Sequence, residues 1–287
     1  MTAQTILETP TSRNEYDVDK EAARDIQHSL VPAGNLRIPG AEVAYRFSPF
    51  AEVGGDFLDF FCLPDGMVGI YIGDVVGKGL SAAMYGALVM GALRGINKTG
   101  EDTAAVLALL NKRLLVRPVP GRYCATLYAL FNPVTRKLTF SNAGLPYPVL
   151  VSQGKYSMLD AGGVPSGAFP GTTYERHTVR LSPGDSVLFA TDGLHELRND
   201  RDEDFGWDRM GELWSACAGK TADESLDYLF EGAKSFSIHP GQNDDITAVA
   251  LKVPLEAESV RPVSPPRIWR DNFEPISELP VCAAISL

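Results

Sequence analysis

Cysteine is scarce and scattered in this chain of 287 residues: Cys62, Cys124, Cys217 and Cys282 form no C-x-x-C pair. That excludes a zinc ribbon, argues against a disulfide framework and points to reduced thiols in a cytoplasmic protein. No arginine follows a cysteine at the close spacing of a phosphate-binding thiolate loop, so a cysteine nucleophile is not expected. The four histidines do not cluster. Positive charge is outnumbered: 26 Lys and Arg against 36 Asp and Glu leave a formal net charge of −10. A general affinity for nucleic acid or anionic lipid is therefore not expected. Long apolar runs are missing too. The longest, residues 82–93, is too short to span a bilayer and stops at Arg94. Residues 1–10 have neither a basic start nor an apolar core, so no signal peptide is expected.

What is present is 45% hydrophobic residues, enough for a sizeable core. Residues 1–14 are polar and read as a flexible N-terminus. Residues 15–30 read as a helix with Ala22, Ile26 and Leu30 on one apolar stripe, ended by Pro32. Strand patterns begin at residue 41, with a hairpin of residues 57–63 and 67–73 around Pro64-Asp65-Gly66. Helical patterns cover 81–96 and 102–116, the second capped by Asp102 or Thr103. Strand-like runs follow at 123–131, 137–142, 147–152, 156–159, 173–181 and 186–190. Helices are expected at 207–218 and 222–235, and a last strand at 246–253. Strands in blocks with helices in pairs between them indicate an α+β fold of two antiparallel sheets with helices outside, not a βαβ parallel sheet. The expected divisions are a linker or regulatory helix at 15–32, a domain at 41–253 and a Pro-rich, disordered tail at 254–287.

Four segments place aspartates at strand ends or beside glycines: Val53-Gly-Gly-Asp56-Phe57, Gly73-Asp74-Val75-Val76-Gly77-Lys78-Gly79, Thr191-Asp192-Gly193 and Asn243-Asp244-Asp245-Ile246-Thr247. Hard divalent cations take carboxylate oxygens, and glycine lets the backbone come close. One Asp beside one Gly is ordinarily a turn, and Asp65 and Asp185 read that way. Four such segments with no histidine cluster to compete point to a hard-cation site.

The order of these motifs, with Asn142-Ala-Gly-Leu-Pro146, Gly162-Gly-Val-Pro-Ser-Gly167 and Ala190-Thr-Asp-Gly-Leu-His-Glu196, resembles the SpoIIE/RsbU phosphatases. These are the bacterial branch of the metal-dependent type 2C serine/threonine protein phosphatases. The resemblance covers about residues 22–253, and residues 22–32 resemble the linker helix that precedes the domain in that family. It implies an α-β-β-α sandwich with two Mn²⁺ or Mg²⁺ ions at one end of the sheet pair. Asp74 would bridge both ions. Asp56 and the Val75 carbonyl would complete one site, and Asp192 and Asp244 the other, with Asp245 a lower-ranked substitute. It further implies attack by an activated water on phosphoserine or phosphothreonine, without a phospho-enzyme, on a small regulator such as an anti-sigma factor antagonist. Residues 15–32 are expected to take an activator or a second copy of the chain. His195 is a weak candidate for the proton donor. Lys78 and Arg46 are candidates to face phosphate, and Ser166 to alter the rim of the site. Two rival readings remain: a non-catalytic partner-binding module, and another two-metal hydrolase. The acidic balance opposes a nuclease.

Overall fold

The computed structural model describes residues 15–63, 65–96, 102–237 and 244–255. The readings of residues 1–14 and of nearly all the Pro-rich tail lie outside the described residues. Strands β1 (Leu36–Ile38), β2 (Ala41–Ser48), β7 (Val149–Ser152), β8 (Lys155–Met158), β10 (Ser186–Ala190) and β11 (Ile246–Lys252) form one sheet in the order β1-β2-β11-β10-β7-β8. Strands β3 (Phe57–Cys62), β4 (Val68–Val75), β5 (Cys124–Asn132), β6 (Lys137–Ala143) and β9 (His177–Arg180) form the other in the order β3-β4-β5-β6-β9. Neighbouring strands pair antiparallel in both sheets.

Period-two alternation explains the layers, because successive side chains point to opposite faces. In β11, Val249 and Leu251 enter the core between the sheets, while Ile246, Ala248 and Ala250 face α5 (Gly206–Ser215) and α6 (Ala222–Phe236). In β4, Val68, Ile70 and Ile72 enter the same inter-sheet core, while Tyr71 and Val75 face α2 (Leu80–Ile96) and α3 (Thr103–Leu114). The result is the α-β-β-α sandwich. Both faces of the central strands are covered, which is why β10 and β11 are buried along their whole length.

The helices have local causes. Asp102 caps α3, its carboxylate accepting from the Ala104 and Ala105 amides. Thr221 and Glu224 form a capping box on α6. Arg46 on β2 binds Asp223 and Asp227 on α6, so it ties helix to sheet and does not face a phosphate site.

Helix α1 (Glu15–Leu30) has the expected bounds. Its inner face is tied to the domain. The Gln27 amide donates to the Gly54 carbonyl at 2.7 Å and accepts from the Gly54 amide at 3.1 Å. Arg94 of α2 donates to the Leu30 carbonyl and to Asp59. Val18 and Ile26 are exposed, at 47% and 63%. The expected strand at 173–181 shortens to His177–Arg180. Tyr174 there shares a hydrogen bond with Ser166, and Arg176 pairs with Asp102, so side-chain ties take the place of ladder pairing. Ser166 is fully buried and exchanges backbone hydrogen bonds with Cys124, so it forms no part of a rim. No helix among the described residues is long and apolar enough to cross a membrane.

Candidate metal centre

The inter-sheet core turns polar at one end, and the alternation says where. The face of β4 that carries Ile70 and Ile72 ends on Asp74. The face of β10 that carries Val187 and Phe189 continues to Thr191. The face of β11 that carries Leu251 and Val249 continues to Thr247 and Asp245. Asp56 precedes Phe57 at the start of β3, and Asp192 opens the single-turn helix α4 (Asp192–His195).

The polar groups close on each other. Thr191 Oγ1 donates to Asp56 Oδ2 at 2.8 Å and accepts from the Thr247 amide at 3.0 Å. Asp245 accepts the Phe50 amide at 2.7 Å on Oδ1 and the Gly55 amide at 2.6 Å on Oδ2. Lys78 Nζ pairs with Asp244 Oδ2 at 2.8 Å. Glycine is required at Gly54, where a Cβ would come within 2.3 Å of the Asp245 carboxylate. At Gly55 a Cβ would sit 2.8 Å from the Val75 carbonyl oxygen and 3.4 Å from Asp74 Oδ1. Two of the expected donor oxygens therefore converge on the bare face of Gly55.

The electrostatics follow from burial and like charge. Asp56 is 2% exposed, and burial first, then the Asp74 charge, push its carboxyl well above the usual range. Burial first, then Asp192, Asp244 and Asp245, raise Asp74 to about 7. Burial and Asp244 raise Asp192. Exposure rises across the cluster, from buried Asp56 to Asp244 and Lys78, whose side chains are 46% and 48% exposed. The site thus opens to solvent on the Lys78 side.

The donor chemistry fits hard divalent cations: every candidate ligand is an oxygen, and the crowded carboxylates repel one another until a cation or proton intervenes. Among the described residues no group of three acidic, histidine or cysteine side chains is already arranged to hold an ion. Here Asp244 pairs with Lys78, Asp56 accepts from Thr191 and Asp245 accepts from two amides. His195 stacks on Trp207 with ring centroids 4.0 Å apart, and burial lowers its pKa. A neutral imidazole near pH 7 is a poor proton donor, which counts against it as the acid. Sequence reasoning did not assign Thr191 or Gln27, because their partners are remote in the chain.

The chain matches the family model for stage II sporulation protein E (SpoIIE) over residues 64–254. It is 24% identical over 190 residues to the phosphoserine phosphatase RsbU of Bacillus subtilis, covering 66% of this chain and 56% of that protein. It spans about half the length of the curated relatives it matches. The SiaA PP2C domain of Pseudomonas aeruginosa superposes with a TM-score of 0.73 at 19% identity, covering 83% of this chain and 97% of that one. The catalytic domain of the serine/threonine protein phosphatase PstP, solved in complex with two manganese ions, gives 0.55 at 16% identity, covering 75% and 99%. The solved structures share the PP2C fold, the family model covers most of the domain, and the chain belongs to the SpoIIE family.

Proposed function

We propose that this chain is a metal-dependent protein serine/threonine phosphatase of the cytoplasm. Its substrate is a phosphoserine or phosphothreonine on a small regulatory protein of the anti-sigma-factor-antagonist kind. The observation that carries this reading is the set of Asp56, Asp74, Asp192 and Asp244, gathered where the inter-sheet core ends and open to solvent on one side. Family membership supports it, as does the phosphoserine phosphatase activity named for the RsbU relative.

Asp74, Asp56 and the Val75 carbonyl would hold one Mn²⁺ or Mg²⁺, and Asp74, Asp192 and Asp244 a second. Asp245 serves by fixing the loop before Asp56. Two such ions supply Lewis acidity and a water nucleophile that is competent near neutral pH. The chain's own residues prepare the ground. Thr191 fixes the rotamer of Asp56, and Asp245 anchors Phe50 and Gly55 so that the loop cannot drift from Asp74. The exposed apolar positions Val18 and Ile26 of α1 are the docking surface for an activator or a second copy. The test is phosphate release from a phosphorylated antagonist protein with and without Mn²⁺. Release that needs Mn²⁺ and stops with chelator supports the reading, and release that is indifferent to both contradicts it.

A further inference from the structure

The open side of the carboxylate cluster carries a cation on a purpose-shaped loop. Lys78 lies between Gly77 and Gly79, both at positive φ (96° and 70°), a conformation that side chains disfavour and glycine accepts. Arg122 braces this loop from behind. It donates to the Val76 carbonyl and, at 2.8 Å, to Ser81 Oγ. The braced loop presents the Lys78 ammonium 2.8 Å from Asp244 Oδ2 and 5.2 Å from the centre of the half-exposed Phe50 ring. Arg122 is held against its own loop, whereas Lys78 stands half exposed at the solvent side of the acids.

We propose that Lys78 is the substrate-binding residue that takes the non-bridging oxygens of the phosphoryl group, exchanging Asp244 for them. The proposal rests on the phosphatase reading above. A phosphomonoester dianion entering from solvent meets mostly carboxylates, which repel it, so a cation at the mouth is needed besides the ions. An ammonium on a flexible stem can turn from one oxygen to another without moving the backbone. The ion pair also has a second consequence. Lys78 and a divalent cation draw on the same Oδ2, so Lys78 weakens cation binding while favouring substrate.

The two effects have opposite signs, and this separates the proposal from a merely structural role. The experiment compares wild type, Lys78→Ala and Lys78→Arg. Calorimetry measures Mn²⁺ affinity without substrate, and p-nitrophenyl phosphate at saturating Mn²⁺ gives KM and kcat. Losing a charge-assisted hydrogen bond should raise the KM of Lys78→Ala about tenfold, more than it changes kcat. Its Mn²⁺ affinity should equal or exceed that of wild type, and Lys78→Arg should restore KM. An unchanged KM in Lys78→Ala, or weaker Mn²⁺ binding than wild type, overturns the proposal. Wild type that neither binds Mn²⁺ nor hydrolyses the ester overturns the phosphatase reading first.

Discussion

Thr191 joins three parts of the site with one hydroxyl, donating a hydrogen bond to Asp56 and accepting one from the Thr247 amide. Thr191→Val keeps the shape and removes both bonds. It leaves a buried amide and a buried carboxyl short of partners, at a cost of about 1–3 kcal/mol for the unsatisfied groups. Urea unfolding should show that loss, and Mn²⁺ affinity should fall with it; an unchanged midpoint would rule the contact unimportant. The thiols make a second prediction at this scale. Burial pushes Cys124 up to about 12 and raises Cys217 and Cys62 as well, but of the three only Cys62 is exposed to reagent. Thiolates, not thiols, alkylate. Brief iodoacetamide treatment of the folded protein, read by peptide mass, should therefore label Cys62 well ahead of Cys124 and Cys217.

Helix α1 and helix α3 show what single elements contribute. Gln27 holds both backbone groups of Gly54, whose neighbour Gly55 faces Asp74 and the Val75 carbonyl. Changes one shell away from a metal commonly cost about 10–100-fold in affinity. Gln27 touches Gly54 and no candidate ligand directly, so Gln27→Ala should weaken Mn²⁺ binding by at most about tenfold, the low end of that scale, while leaving the far-ultraviolet spectrum unchanged, and calorimetry decides it. At α3, burial raises the Asp102 pKa, but the Ala105 and Ala104 amides and Arg176 outweigh it and hold the group below the ordinary carboxylate range. A depressed folded pKa stabilises above the unfolded value, about 3.9, and the gain vanishes as pH falls through the folded one. Asp102→Ala should cost about 1 kcal/mol at pH 7 and progressively less below about pH 4, as read from thermal melts. These elements differ in how far the sequence revealed them. The β3–β4 hairpin and α1 carry turn residues and a sustained period, and both were legible. Strand β1 and helix α4, of three and four residues, are too short to express any period. The aspartates were legible because strand-end glycines accompany them. Thr191 and Gln27 were not, since their partners lie 135 and 27 residues away and only the fold unites them.

At the scale of the molecule, two sheets give up their apolar alternation at the same end, and the acids fill the opening. The sandwich supplies a rigid base on which carboxylates can be crowded despite their repulsion. Divalent cations would relieve that crowding, and the phosphatase reading depends on their doing so. The most direct test is calorimetric titration of Mn²⁺ into wild type and Asp74→Asn, with phosphate release measured on the same samples. Asp74 is the proposed bridge, and its isosteric replacement keeps the volume while removing the charge. The account predicts Mn²⁺ binding and turnover in wild type, and in Asp74→Asn an affinity loss beyond the hundredfold or so seen for supporting residues, with turnover abolished. Wild-type affinity and normal turnover in Asp74→Asn would contradict it.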